Sequence, residues 1–183
     1  MVPLELKPII PGGSVYRKVG RLYRAAFGAE VRPPLLELWL LSARREAVSL
    51  RAWYEGETFC GMTLTVDQGK YLYIEFIAVD PALRSRGYGG RMLARLRADY
   101  PDRAMLVEVE EPEPDAGNHD QRRKRIDFYQ RNGFFLLEQR LEGKKDNYVL
   151  MSTDPVYDRA AFLAIFPHLS LGIRAGLRRI FRG

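Results

Sequence analysis

Cysteine and histidine are scarce in this chain of 183 residues, which has one cysteine, Cys60, and two histidines, His119 and His168. A single thiol cannot form a disulfide within the chain, and these residues cannot supply the four ligands of a structural zinc site. A chain of this length can bury roughly 70% of the surface that its unfolded form exposes, so its core needs neither device. The sequence therefore predicts no metal, and we interpret Cys60 as a small core residue.

Long apolar runs are also missing. The longest stretch without a charged side chain, 160–173, has 14 residues and contains Pro167, whereas a membrane-spanning helix needs about 20 apolar residues. The N-terminal residues lack the basic segment and apolar segment of a secretory signal. We therefore expect a soluble, cytoplasmic protein.

The formal net charge of +6 is concentrated near the C-terminus. Residues 170–183 contain four arginines and no acid, and the rest of the chain has 25 basic and 23 acidic side chains, a net charge of +2. A nucleic-acid-binding domain is expected to carry its basic surface on the fold itself, so no nucleic acid partner is predicted. We expect one domain over residues 1–168 and a basic amphipathic tail over 169–183.

The tail carries an apolar and a basic stripe at helical spacing, formed by Leu169, Ile173, Leu177 and Phe181 and by Arg174, Arg178 and Arg182. This pattern is typical of a helix that lies on a membrane surface or binds a polyanion. A helix that docks on the body of the protein or on a second subunit has the same pattern. The sequence leaves both explanations open.

Hydrophobic periodicity predicts an alternation of helices and strands. Helical spacing favours helices that begin at Ser14 and at Pro33, and others over 89–100 and 121–132. Strands are predicted over 47–54, 58–66, 71–79, 104–110, 134–140 and 147–152. A further helix should open at Asp154 and end before Pro167, with a last basic helix after it. Because a strand, a helix and a strand follow one another between 71 and 110, we expect an α/β fold whose mixed sheet contains one parallel pair.

A glycine-rich turn joins the apolar strand 71–79 to the helix that follows it. It contains three glycines and two arginines, namely Gly87, Gly89, Gly90, Arg84 and Arg86. Bare N–H groups at a helix N-terminus bind anions. The turn lacks the Gly-Lys-Ser/Thr ending of a Walker loop, and Met92 stands where the dinucleotide fingerprint requires glycine. The pattern predicts an anion site that belongs to neither nucleotide-binding fold.

Two ordered motifs resemble the GNAT superfamily of acetyl-CoA-dependent N-acyltransferases. The first is Arg-x-x-Gly-x-Gly, from Arg84 to Gly89, after a strand that ends in IAVDP. The second is the helix-to-strand motif FYxxxGF, from Phe128 to Phe134. The resemblance covers roughly residues 14–152. It implies the GNAT fold, a mixed central sheet with splayed parallel strands and flanking helices.

The resemblance implies acetyl-CoA as the cosubstrate, with its pyrophosphate in the glycine-rich turn and its pantetheine arm paired with the preceding strand. The implied cofactor-binding residues are Ile77, Ala78, Val79, Arg84, Ser85, Arg86, Gly87, Tyr88, Gly89 and Gly90. It also implies that Tyr129 lies near the thioester sulfur and protonates the departing thiolate. A packed aromatic residue on an amphipathic helix is the alternative interpretation. The chain departs from one version of this family helix at two positions, Arg122 and Arg125, where that version has an asparagine and a small residue.

Acyl transfer to an amine also needs a group that accepts a proton from the amine. The candidates are Glu75, predicted to share a strand face with Tyr73 and Ile77, and Glu108 and Glu110, which share a face of the next strand. A carboxylate inside an apolar strand is costly unless it is paired, so an arginine partner is the alternative explanation for each. We interpret Glu75 and Glu108 as catalytic candidates and place Glu110 at the rim of a pocket.

These features together predict an N-acetyltransferase that moves an acetyl group from acetyl-CoA directly to a primary amine of a small molecule or a peptide. The alternative is a catalytically silent CoA-binding or interaction module with the same fold. No motif identifies the acceptor. The resemblance also allows a homodimer, and the tail allows weak contact with a membrane or a polyanion.

Overall fold

A computed structural model describes residues 3–29, 31–113, 117–143 and 146–169, and the backbone of 180–182. Its described strands form one sheet in the order β1-β2-β3-β4-β5-β7-β6-β8. The strands are β1 (Glu5–Lys7), β2 (Val48–Glu55), β3 (Thr58–Gln68), β4 (Tyr71–Val79), β5 (Ala104–Glu110), β6 (Phe135–Glu142), β7 (Asn147–Ser152) and β8 (Ile180–Arg182). Within these strands the β4 and β5 neighbours are parallel and the other pairs are antiparallel, which confirms the predicted mixed sheet.

Helices cover both faces of the sheet. They are α1 (Ser14–Ala26), α2 (Leu35–Arg44), α3 (Tyr88–Asp99), α4 (His119–Arg131) and α5 (Arg159–Leu163). One hydrophobic cluster packs α1, α2 and α5 on one face, and the other packs α3 and α4 on the opposite face. Helix α3 is the crossover between the parallel strands β4 and β5, as predicted. In the described ranges no helix combines the length and the hydrophobicity that crossing a bilayer requires.

Register shifts interrupt the regular alternation of side chains in β3, β4 and β6, and the sequence pattern did not reveal them. The first adds Cys60 to β3, because Trp53 pairs with Gly61 while Tyr54 pairs with Phe59. A bulge places one extra residue on one strand and reverses the side-chain alternation beyond it. Cys60 is fully buried, as expected. It packs in the cluster under α3 and α4, whereas Met62, two residues further along β3, packs in the cluster under α1, α2 and α5.

The structure also differs from the sequence prediction in one strand and in the start of two helices. Strand β1 was not predicted, and α4 begins at His119, two residues earlier than expected. The helix expected from Asp154 begins instead at Arg159, because Asp158 caps it by accepting the N–H of Ala161 at 2.9 Å.

The predicted tail helix is wrong for residues 180–182, which form β8 and pair with β6. Residues 170–179 and 183 of the predicted tail lie outside the described residues.

Candidate functional site

The two parallel strands part in the middle of the sheet. Pairing between them runs from Tyr71 opposite Ala104 to Ile74 opposite Val107 and then stops. Beyond this point β4 remains paired with β3, and β5 remains paired with β7. The predicted splay is therefore present, and it leaves one edge of residues 75–79 facing a gap.

The second bulge lies at this point of divergence, and Glu75 is its extra residue. Thr65 pairs with Ile74, while the next β3 residue, Leu64, pairs with Phe76. The expectation that Glu75 shares a face with Tyr73 and Ile77 is therefore wrong. Tyr73 packs in the cluster under α1 and α2, whereas Ile77 packs against the cluster under α3 and α4. The bulge turns Glu75 away from the regular strand pattern at the mouth of the gap.

A cavity of about 450 Å³ occupies the gap. All of the predicted site residues line it except Arg86, which is exposed outside it. The end of α1 adds Ala26 and Phe27, and α4 adds Arg125 and Phe128. The structure thus brings the glycine-rich turn, the splayed strands, the two candidate carboxylates and Tyr129 around one space.

One end of this cavity, the donor end, is formed mainly by backbone. Asp80 fixes the start of the turn by accepting the N–H of Ala82 at 3.0 Å. Ser85 and Gly87 then adopt left-handed conformations, with φ of 60° and 80°. In the described part of the chain no backbone oxygen accepts from the N–H groups of residues 85–90, and the first such bond runs from Arg91 to Gly87. The N–H groups of this turn and of the first residues of α3 can therefore receive an anion.

Glycine is needed at the three positions of the turn for two different physical reasons. Gly87 has open space around a Cβ position but a φ of +80°, so its conformation favours glycine. A Cβ on Gly89 would lie 3.0 Å from the ring of Phe128, and one on Gly90 would lie 2.9 Å from Oδ1 of Asn132. Gly89 and Gly90 therefore allow α3 to approach α4. Only Gly87 serves the turn geometry itself.

Two residues outside the predicted set, Glu55 and Arg91, support the turn through Tyr88. The hydroxyl of Tyr88 donates to Oε2 of Glu55 at 2.6 Å, and Nη2 of Arg91 lies 2.7 Å from Oε1 of the same carboxylate. The hydrogen bonds from Tyr88 and Arg91 lower the pKa of Glu55 below its ordinary value. Glu55 stands at the end of β2, far from the turn in sequence, so no local motif indicates this contact.

Tyr129, on α4, lines the cavity. Its side chain is 4% exposed and packs edge-on against Phe128 and Phe134, with ring centroids 5.1 Å apart in both pairs. Burial raises the pKa of the hydroxyl to about 12, against a smaller opposing effect of the Arg125 charge. The hydroxyl is therefore protonated at neutral pH and can donate a proton.

The other end of the cavity, the acceptor end, is formed by side chains. A smaller recess of about 90 Å³ adjoins it and shares Phe27, Ile74, Glu75, Glu108 and Arg125 with the main cavity. Glu110 also lines this recess, together with apolar and aromatic residues. Three carboxylates therefore meet around a small and partly aromatic space.

The three carboxylates differ in their partners. Tyr73 donates to Oε1 of Glu108 at 2.7 Å. Nη1 of Arg125 lies 3.0 Å from Oε2 of Glu110, so the arginine explanation applies to Glu110. Among the residues that the structure describes, none makes a hydrogen bond or an ion pair with the carboxylate of Glu75, which is half-buried in the cavity wall. Of the three carboxylates, Glu75 is therefore the one without a hydrogen-bond or ion-pair partner among the described residues.

The chain matches the family model of the acetyltransferase (GNAT) family over residues 16–134. No curated protein matches it in sequence. A putative GNAT acetyltransferase from Bacteroides thetaiotaomicron has a similar structure, with 25% identity and a TM-score of 0.71, covering 90% of this chain and 95% of its own.

Two more distant structures share the fold. A Bacillus subtilis acetyltransferase in complex with CoA is 12% identical with a TM-score of 0.58, covering 85% of this chain and 100% of its own. A spermidine N-acetyltransferase from Vibrio cholerae is 12% identical with a TM-score of 0.61, covering 82% of this chain and 92% of its own. Because the family model matches well over half of the residues, the chain belongs to the GNAT acetyltransferase family.

Proposed function

We propose that this protein transfers an acetyl group from acetyl-CoA directly to a primary amine, without a covalent enzyme intermediate. The observation that carries the proposal is the continuity of one cavity. Its lining includes the start of α3, Tyr129 and the carboxylates Glu75 and Glu108 at the splay. A thioester and an amine that enter from opposite ends would therefore meet beside a proton donor and a proton acceptor.

The donor end suits acetyl-CoA. Backbone N–H groups of the turn and of the start of α3 would hold the pyrophosphate, because fixed backbone dipoles at a helix N-terminus favour negative charge. The unpaired edge of Ile77, Ala78 and Val79 would hydrogen-bond the pantetheine amides in the manner of an added strand. The CoA bound to the Bacillus subtilis enzyme supports this assignment.

Attack by the amine requires that its nitrogen carry a lone pair, so the ammonium form must first lose a proton. Glu75, with Glu108 next along the wall, would bind the ammonium group and accept that proton. The nitrogen then bonds to the thioester carbonyl carbon and the carbon–sulfur bond breaks. Tyr129 would give its proton to the departing thiolate. The acylated nitrogen would then lose its second proton, which returns to the Tyr129 phenolate directly or through solvent, and CoA and a neutral amide are the products.

Turnover across a panel of amines tests the proposal. Purified protein is supplied with acetyl-CoA and with polyamines, amino acids, aminoglycosides or peptides, and the release of CoA is measured. Binding of acetyl-CoA is measured in parallel by calorimetry. We expect amine-dependent CoA release with at least one class. Tight binding of acetyl-CoA without release for any amine would instead favour a silent CoA-binding module.

A further inference from the structure

Arg125 has an unusual position for a paired surface arginine. It stands four residues before Tyr129 on α4, so the two side chains project from the same face of the helix. It lines both the main cavity and the small recess, and it is the cation that lines this recess in the described part of the chain. Its side chain is 47% exposed, so it can move without unpacking the core.

A second arginine, Arg122, lies close to Glu110, the ion-pair partner of Arg125. Arg122 is 5% exposed, donates to Asp146 at 2.6 Å and donates to the carbonyl of Glu111 at 2.8 Å. Its Nε atom is buried without a hydrogen-bond partner and lies 3.9 Å from Oε2 of Glu110, the oxygen that Arg125 contacts. Glu110 can therefore keep a cationic partner when Arg125 leaves. A small shift would also satisfy the Nε donor.

We propose that Arg125 binds a carboxylate group of the acceptor, and that the acceptor is therefore an amino carboxylate such as a free amino acid. This inference rests on the proposed function. The amino group would lie at Glu75 and Glu108, and the carboxylate would replace Glu110 as the partner of Arg125. An anionic group could not otherwise approach three glutamates, because like charges in a partly desolvated recess repel. The small recess volume of about 90 Å³ suits the compact end of such a molecule.

The experiment compares matched acceptors that differ only in the carboxylate. The probes are L-α-amino acids and short ω-amino acids, each paired with its methyl ester, and kcat/KM is measured from CoA release. Esterification also lowers the pKa of the amino group, so the acid-to-ester ratio is compared between wild type and Arg125→Gln. Arg123→Gln, an exposed neighbour on α4, is the matched control.

We expect Arg125→Gln to lower the acid-to-ester ratio by about 10- to 100-fold, the range of a charge-assisted hydrogen bond. The control should leave the ratio within about twofold, as surface charges far from a partner do. Glu110→Gln should have the opposite effect. We expect it to lower KM for the acids a few-fold, because Glu110 would no longer compete with the substrate carboxylate for Arg125.

Calorimetry on the CoA-bound protein separates this inference from the proposed function. If the wild-type protein binds the acids without turnover, and Arg125→Gln abolishes that binding, the carboxylate site is supported and the proposed catalysis is contradicted. Turnover with an unchanged acid-to-ester ratio in Arg125→Gln supports catalysis and overturns the carboxylate site. Neither binding nor turnover of any acid also overturns it.

Discussion

The donor end and the acceptor end of the cavity are built in different ways. The donor end is a nearly continuous segment, 77–90, whose backbone supplies most of its polar groups. The acceptor end collects single side chains from α1, β4, β5, α4 and β7, including Phe27, Glu75, Glu108, Arg125 and Tyr148.

This difference explains why only one end has a sequence signature. A backbone site constrains the residue types of one short segment, since a left-handed turn and a helix N-terminus need particular residues at fixed spacing. A side-chain site can be assembled from distant positions in many combinations. Substitutions at the donor end should therefore act on CoA affinity, and those at the acceptor end on turnover and specificity.

Gly87→Glu should give the largest effect. The new carboxylate would stand beside the N–H groups of the turn and oppose a pyrophosphate, and like charges at such a distance cost several kcal/mol. We expect acetyl-CoA affinity to fall about 1000-fold by calorimetry.

The backbone cost of that change needs a control. Gly69→Glu provides it, because Gly69 also has a positive φ and open space around its Cβ position, but lies in the turn after β3. It should lose similar stability and keep its affinity. Equal loss of affinity in both variants would contradict the donor assignment. Gly89 is a poorer test, since its Cβ would meet Phe128.

Tyr129→Phe should lower kcat about 100-fold with little change in acetyl-CoA affinity, a contribution typical of a general acid. Because the pKa of Tyr129 is raised to about 12, the wild-type rate should not decline at alkaline pH until that value is approached. Tyr157→Phe is the matched control, because burial also raises the pKa of Tyr157 to about 12 and that residue does not line the cavity. A loss of affinity at constant kcat would identify Tyr129 as a packing residue.

Glu75→Gln tests the acceptor end with a smaller effect. We expect kcat/KM to fall about 10- to 30-fold, because a water path can replace part of a base. The wild-type rate should rise with pH as the base or the bound amine loses its proton, and this rise should flatten in the variant.

Glu108→Gln should lower kcat/KM less than Glu75→Gln, since Tyr73 already donates a hydrogen bond to the Glu108 carboxylate. Glu138→Gln, on an exposed face of β6, should change neither. Wild-type profiles in both Glu75→Gln and Glu108→Gln would exclude both glutamates as the base.

The sequence predicted what depends on local periodicity and local turn chemistry. Six of the eight strands in the described residues, the crossover helix α3 and the turn to Gly90 follow from such patterns. The bulges at Cys60 and Glu75 did not, because a bulge depends on the register with a neighbouring strand.

Contacts between distant segments were equally hidden from sequence. Glu55 supports the glycine-rich turn from the end of β2, and Arg122 binds Asp146 beyond the end of β6. Such pairs appear only when the chain is folded. The departures from the family helix at Arg122 and Arg125 were the one local sign that this region differs, and they could not indicate which carboxylates the arginines meet.

Deletion of residues 170–183 should have the smallest effect and shows whether the tail belongs to either end of the cavity. It removes β8, a three-residue edge strand paired with β6, so the free energy of unfolding should fall by only about 1–3 kcal/mol. The truncated chain has a formal net charge of +2, and its acetyl-CoA affinity and turnover should stay within about twofold of the full chain. Urea unfolding, calorimetry and CoA release measure these quantities.

Sedimentation with anionic vesicles, compared between the full and the truncated chain, tests the predicted weak membrane contact. Collapse of the truncated protein would instead place the tail in the core or in an obligate interface between subunits.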